Sequence, residues 1–283
     1  MKVLGISFGR KNQRSDVMVK EALFAAKAAG ADVQFINTVR MDIGHCRACD
    51  YCSRMRDNGE TEIHCCMKDD YHILEEACLE ADGIIIAAPV YAVGIVGQFK
   101  NFVDRFGPSH DRAALIEENK KRKAEGKPEL DPRYFKDRYT GFISVGGAET
   151  HNWVSLGLPM LDLFSFSFCM KCVGHVDAYD QGRTGHPLFD PALMEKCAEL
   201  GKAVAESLGK TVRRSGHMGR RRGCMSGMPQ SAFEHERNNT CRMPDLRYLG
   251  RSFRGRRQGE SRVVRERDRA CEKYKYRNLR TLQ

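Results

Sequence analysis

Ala81-Asp-Gly-Ile-Ile-Ile-Ala-Ala-Pro89 is the stretch that most narrows what this chain can become. A continuous apolar run bounded by turn-forming residues has no polar face to offer water. It therefore reads as a central parallel strand covered on both sides. Four other short runs share its character: 2–7, 31–37, 139–146 and 172–179. Between these runs lie segments at helical spacing: Asp16 to Ala29, closed by Gly30, then Tyr71 to Glu80, with Asp69 and Asp70 as candidate caps. Gln98 to Phe106, an apolar Trp153 to Cys169 and an amphipathic Pro191 to Leu208 follow. Five strands alternating with helices argue for an α/β fold, a parallel sheet with helices on both faces. Ligands of such sheets bind outside the carboxyl ends of the strands. The polar loops after the first, third and fourth strands gather at that edge.

At 283 residues, with 41% of them hydrophobic, the chain can build a sizeable core. No run approaches the ~18 apolar residues of a membrane span, so a soluble protein is expected. Nothing at the start resembles a signal peptide, and twelve cysteines then suit a reducing, cytoplasmic setting where thiols serve ligation or catalysis. The net charge of +10 is unevenly spread: from Thr211 onward 20 Lys and Arg stand against 7 Asp and Glu, whereas residues 1–210 hold 27 against 30. A front domain of 1–210 and a basic tail of 211–283 are expected. Gly107 to Arg138 is densely and evenly charged, helical near 111–125, and reads as a solvated insertion.

Two stretches carry chemistry. Ser7-Phe-Gly-Arg-Lys-Asn-Gln-Arg-Ser15 joins a strand to a helix, so its hydroxyls and free N–H groups at a helix N-terminus can face an anion. Cys46-x2-Cys49-x2-Cys52, answered by Cys65-Cys66, puts three sulfurs on one tight, non-helical turn. On spacing alone this suits an iron–sulfur cluster, zinc, a redox-active dithiol or plain loop cysteines. Cys78, Cys169, Cys172 and Cys197 read as small buried hydrophobes. His45, His64, His151 and His175 show no pattern beyond structural histidines, and no Ser/His/Asp set or carboxylate pair suggests hydrolysis.

Three motifs in order now bear a resemblance. Ser7 to Ser15 resembles the GSPRKNGNT phosphate loop of the flavodoxin-like, NADPH-dependent FMN reductase group. Ala81 to Tyr91, with Gln98-Phe-Lys-Asn-Phe-Val-Asp-Arg105, resembles that group's ADGIIFGSPVY…LKAFIDR. The cysteine block, ending Cys65-Cys-Met-Lys-Asp-Asp70, is similar to that of its iron–sulfur flavoproteins, although twelve residues separate Cys52 from Cys65 where relatives have about five. A longer loop can close on the same centre at small entropic cost. The resemblance covers residues 1 to about 208. It implies a flavodoxin-like, doubly wound, five-stranded sheet. It further implies that Ser7, Arg10, Asn12, Arg14 and Ser15 hold the FMN phosphate, and that Pro89, Val90, Tyr91 and Gly94 flank the isoalloxazine ring. Gly146 and Gly147 would let the next strand approach it. Cys46, Cys49, Cys52 and Cys65 would bind a [4Fe–4S] cluster, with Cys66 an adjacent substitute.

The implied function is an FMN-dependent oxidoreductase coupling flavin to cluster, with NAD(P)H a candidate donor and a redox protein or small molecule the acceptor. A homo-oligomer, dimer or tetramer, is expected, without membrane or nucleic-acid partners. Two rivals remain: a flavin or quinone reductase without a cluster, and an electron carrier between proteins. The tail has aromatics among its arginines but no known nucleic-acid-binding motif, so composition supports only weak, salt-sensitive, non-specific binding. It reads either as a disordered basic extension or as an out-of-frame remnant of a zinc-ribbon-like segment. In the second reading, a shift of one nucleotide forces cysteine from Met225 (given a TCN codon at Ser226), Met228 and Met243. It can thereby yield two Cys-x2-Cys pairs, and Cys224, Cys241 and Cys271 as written would be no metal site.

Overall fold

The computed structural model describes residues 1–182 and 185–210, and both readings of the tail lie outside those residues. In chain order the elements are β1 (Lys2–Ser7), α1 (Arg14–Ala28), β2 (Asp32–Asn37), α2 (Tyr51–Asp57), α3 (Tyr71–Glu80) and β3 (Gly83–Tyr91). They continue as β4 (Gly94–Ile95), α4 (Gly97–Ser109), α5 (Arg112–Ala124), β5 (Tyr139–Val145), α6 (Gly157–Asp162), β6 (Lys171–Ala178) and α7 (Pro191–Ser207). Five strands form a parallel sheet in the order β2-β1-β3-β5-β6, and the two-residue β4 pairs antiparallel with the end of β3. This is the doubly wound, flavodoxin-like order.

The apolar run in β3 is continuous because its two sets of side chains enter different cores. Ile84, Ile86 and Ala88 join Leu4, Tyr71, Phe102, Phe106 and Phe142 on one face. Ile85 and Ala87 join Val19, Leu23, Ile143, Leu200 and Val204 on the other. Burial of an isoleucine contributes about 1.5–3 kcal/mol, so neither face tolerates a polar substitution. On the second face α7 crosses α1 at Gly201, where a Cβ would lie 1.8 Å from the Ala22 carbonyl oxygen. Only glycine allows that approach.

Three expectations are corrected. The 153–169 stretch is not one buried helix: a 3-10 turn at His151–Trp153, the short α6 and a second 3-10 turn at Leu163–Phe166 replace it. Pro159 has no N–H to continue a helix from the preceding turn, so α6 begins at Gly157. Trp153 and Phe166 stand 64% and 74% exposed. Cys78 and Cys197 are buried as expected, but Cys169 is exposed on a positive-φ turn and Cys172 is half-buried on the edge strand.

The charged insertion, thirdly, is not solvated throughout. Arg122 is 1% exposed and donates to the carbonyls of Arg56 (2.6 Å), Glu60 (3.0 Å), Gly59 and Pro128 (both 3.4 Å). Tyr134 Oη donates to the Ile63 carbonyl (3.2 Å) and accepts the Ile63 N–H (2.7 Å). The insertion thus folds onto the long segment between Cys52 and Cys65. Removing a buried donor leaves several carbonyls without partners, each at about 1–3 kcal/mol. Arg122→Ala should lower unfolding stability by about 3 kcal/mol and raise amide exchange at residues 56–60. Denaturant titration with a loss under ~0.5 kcal/mol would show that water replaces the guanidinium.

Candidate functional site

At the carboxyl edge, β1 ends on Ser7, whose carbonyl accepts the Thr38 N–H (3.0 Å) while its buried Oγ accepts the Gly9 N–H (3.3 Å). A Cβ on Gly9 would lie 2.5 Å from Ser15 Oγ, so the loop closes tightly on the first turn of α1. Asn12 sits at φ 56°, and its N–H donates to Asp16 Oδ2 (2.6 Å). Asp16 is fully buried and also accepts from Asn37 Nδ2 (2.6 Å), which reaches the Gly9 carbonyl too (2.9 Å). Asp16 and Asn37 therefore set the loop, and sequence reasoning missed both. The N–H groups of Arg10, Lys11, Arg14 and Ser15 meet no acceptor among the described residues. Orphan donors at a helix N-terminus, beside two hydroxyls, fit a phosphate.

Arg10 is exposed, and its side chain meets no partner among the described residues. Arg14 departs from expectation: its guanidinium donates to the carbonyls of Gly182 and Gly185 (2.8 Å from Nε to the latter). It ties the segment before α7 to α1.

Pro89 marks where the sheet opens. β1 accompanies β3 only as far as Ala87, so the missing N–H of Pro89 leaves no ladder bond unmade on that side. Beyond it Val90 and Tyr91 turn back on Ile95 and Gly94. The tip places Ala92 and Val93 at φ 49° and 73°. A β-branched residue there costs about 1–3 kcal/mol and persists where surroundings over-determine it. Tyr91 is 55% exposed beside this tip, and Gly94 faces Met160. Gly146 and Gly147 adjoin on β5's side; the space a Cβ would take at Gly146 is filled by Val154, whereas a Cβ on Gly147 would only touch the Gly182 backbone at 3.6 Å. They shape the loop packing. His151 pairs with Asp177 at 2.8 Å, as a structural histidine would.

The cysteines follow β2. Cys46 and Cys49 lie in irregular chain with Ala48 and Asp50 at φ 49° and 59°, whereas Cys52 falls in the first turn of α2, so the turn is not wholly non-helical. The Ala48 N–H points to Cys46 Sγ (3.4 Å), and Cys49 and Cys66 Sγ are 3.7 Å apart. The Tyr51 N–H, then the Cys66 thiol, hold Cys49 below the ordinary thiol pKa. Burial raises Cys52 and Cys66, and charge coupling links Cys52 to Cys65 and Cys46. Cys49 and Cys66 are thus in contact, and Cys46, Cys52 and Cys65 lie close enough for their charges to couple. No three converge within 4.8 Å.

α4 holds the loop in place with one face. Gln98 Nε2 donates to the carbonyls of Thr38 (2.8 Å) and Met41 (3.0 Å), Asn101 Nδ2 to Ile43 (2.9 Å), and Arg105 Nη1 to Gly44 (3.3 Å) and Asp69 Oδ2 (2.5 Å). Burial disfavours charge on Arg105, yet Asp69 and then Cys65 raise its pKa. Its Nε and Nη2 are buried without a hydrogen-bond partner. Unmatched donors beside Cys65 fit an anionic thiolate-bound centre. Behind Cys65 and Cys66 lies a cavity of about 530 Å³ lined by His64, Lys68, His72, Glu75 and Tyr134 among others. Burial raises the Glu75 carboxyl, against the pull of His72 and Tyr71.

A sequence profile described as NADPH-dependent FMN reductase matches residues 1–156. An iron–sulfur flavoprotein of Methanocaldococcus jannaschii is 37% identical over 147 residues, 52% of this chain and 62% of that protein. A flavone synthase of Aspergillus candidus is 29% identical over 217 residues, 75% of this chain and 66% of that protein. The solved structure of a flavone reductase superposes with a TM-score of 0.61 at 29% identity, covering 73% of this chain and 62% of that one. The chain thus spans a little under two thirds of the length of these relatives. Among the described residues no helix is long and apolar enough to cross a membrane. With a profile match over more than half its length, on this sheet order, the chain belongs to the NADPH-dependent FMN reductase family.

Proposed function

We propose that this chain is an FMN-dependent oxidoreductase that takes electrons from NAD(P)H and passes them between FMN and a [4Fe–4S] cluster. The observation that carries this reading is α4, which follows directly on the β3–β4 hairpin and hydrogen-bonds the cysteine loop along one face. FMN supplies two-electron or one-electron exchange and a cluster supplies one-electron exchange, so the pair links the two. Ser7, Ser15 and the orphan N–H groups would hold the phosphate, with Tyr91 and Val93 beside the ring. Cys46, Cys49, Cys52 and Cys65 would ligate the cluster, with the Arg105 guanidinium balancing its charge. The name of the Methanocaldococcus jannaschii relative supports the cluster.

A second reading, reduction of a planar small molecule without a cluster, draws support from the flavone reductase and flavone synthase likenesses, which cover more of the chain. The exposed Tyr91 and Trp153 on that edge suit a planar acceptor. Anaerobic purification with iron and sulfide analysis separates the two: about four iron and four sulfide per chain are expected, beside one FMN. Cys65→Ser should lose the iron and keep the FMN. Flavin without iron in the parent protein would leave the second reading standing.

For the phosphate, Ser7→Ala with Ser15→Ala should weaken FMN retention roughly 10–100-fold, since hydrogen bonds to charged groups contribute about 1.5–3 kcal/mol. Equilibrium dialysis reporting unchanged affinity in a folded double variant would move the phosphate elsewhere.

The Arg105–Asp69 pair makes a pH prediction. Burial alone would raise the Asp69 carboxyl, but Arg105 and the N–H groups of Gly44 and Tyr71 hold it below the usual carboxylate range. Its folded value is depressed, so its stabilisation is present above about pH 4 and lost as pH falls through the folded value. Asp69→Asn should flatten the acid limb of the stability profile, and an unaltered limb in the acid melting series would assign that limb to other carboxylates.

A further inference from the structure

At the opposite edge of the sheet from the cysteine loop, three side chains of different kinds come together. Asp162 ends α6, and Cys172 and His175 belong to β6, the edge strand. One ligand atom from each lies within 4.8 Å of the others, the only such trio of His, Cys, Asp or Glu among the described residues. Cys172 Sγ and His175 Nε2 are 3.2 Å apart.

The meeting of Cys172 and His175 is not what a regular strand allows. Residues three apart in a strand point to opposite faces, because side chains alternate. Here Thr140 pairs with Cys172 while Gly141 pairs with Gly174, so Val173 is an extra, bulged residue. The bulge shifts the alternation by one and puts Cys172 and His175 on the same face, opposite Thr140 and Phe142. The His175 ring stacks on Phe142 at 6.1 Å and 24°, which limits its orientation. Asp162 is oriented too: Ser165 Oγ donates to its Oδ1 (3.1 Å) and lies 3.3 Å from Thr140 Oγ1.

We propose that Asp162, Cys172 and His175 bind a divalent transition-metal ion, zinc foremost, with a fourth position open to solvent. Thiolate, imidazole and carboxylate together match the ligand set zinc accepts, whereas magnesium and calcium favour all-oxygen sites. Ligand atoms on a tetrahedral zinc stand roughly 3.3–3.8 Å apart, and the sulfur–nitrogen distance needs only slight opening. His175 is exposed, so water reaches the remaining position. The Ser165–Thr140 hydroxyl pair supplies the outer support that metal carboxylates commonly have. An ion here would join the end of α6 to β6. The start of α6 packs Gly157 against Ser144 and Val90, next to the flavin edge, so metal loading would stiffen that wall.

The test uses the full chain carrying its FMN, handled anaerobically and titrated calorimetrically with Zn²⁺ alone. Cys172→Ser, His175→Ala and Asp162→Asn should each bind one equivalent fewer than the parent, with iron and FMN content unchanged. Ser165→Ala should keep the equivalent at roughly 10–100-fold lower affinity. Equal stoichiometry and affinity in the parent and all three ligand variants overturns the proposal. Because β6 variants could unfold, a zinc-edge anomalous map from parent crystals soaked in Zn²⁺ gives a second readout. A peak roughly 2.0–2.3 Å from Sγ and Nε2 supports the site, and no peak between the three side chains overturns it. Neither readout depends on the cysteine loop or on turnover, so its failure and that of the redox reading remain distinguishable.

Discussion

The polar face of α4 decides where the cysteines lie. After β2 the chain leaves the sheet, and the carbonyls of Thr38, Met41, Ile43 and Gly44 have no ladder partner. Backbone groups removed from water need one. Gln98, Asn101 and Arg105, spaced along a single helical stripe, supply the donors in register with the departing chain. Arg105 and Asp69, with side chains 0% and 8% exposed, then close the far end of the loop. Such a pair contributes modest net stability, but breaking it strands a buried charge, so it specifies one geometry over others. Since α4 begins just after β4, one helix links the turn at the end of β3 to the anchor of the thiols.

The unusual length of the cysteine loop is resolved by the insertion after α4. Arg122, Tyr134 and the Asp131 N–H, which meets the Thr61 carbonyl at 3.0 Å, satisfy the main chain of 56–63. Leu115, Leu130 and Tyr134 extend the apolar core beneath that contact. Two departures from a minimal α/β domain, read separately, are thus one structural unit. Arg138 completes it: fully buried, it donates to the carbonyls of Leu79 and Ala81 at the end of α3 and stacks on Phe168, with burial lowering its pKa to about 10.

What was legible in the sequence were features whose physics is local. The β3 run announced a strand buried on both faces because no polar residue interrupts it, and α3 was bounded at Tyr71 and Glu80 as observed. The Ser7–Ser15 loop was legible as strand, polar loop and helix. Features depending on distant partners were not. Charge density in 107–138 looks solvated until carbonyls 60 or so residues earlier are known to meet Arg122. Nothing near Arg14 in sequence shows that its guanidinium meets the Gly182 and Gly185 carbonyls. Asp16 and Asn37, which shape the loop, carried one faint signal, an acid in the first turn of a helix. The bulge at Val173 had another, the following glycine within a strand. Without it Cys172 and His175 count as opposite-facing residues.

The open end of β3 shows why these pieces belong together. A central strand would ordinarily be paired on both sides along its length, but β1 stops at Ser7, leaving β3 without its β1 neighbour beyond Ala87 while β5 follows it to Pro89. Proline can occupy Pro89 there at no cost to the ladder, and the freed chain folds back through the left-handed Ala92 and Val93. That strained turn is held from below by α6, through Gly157 against Val90 and Met160 against Gly94. The same early ending of β1 leaves the Ser7 carbonyl to receive Thr38, whose Oγ1 meets Gln98 Oε1 at 2.7 Å. Ending one strand at one residue therefore creates the Ser7–Ser15 loop, frees the end of β3 to turn back at Tyr91 and places Thr38 for the bonds that tie the cysteine loop to α4. A rearrangement at Ser7 would be felt at all three.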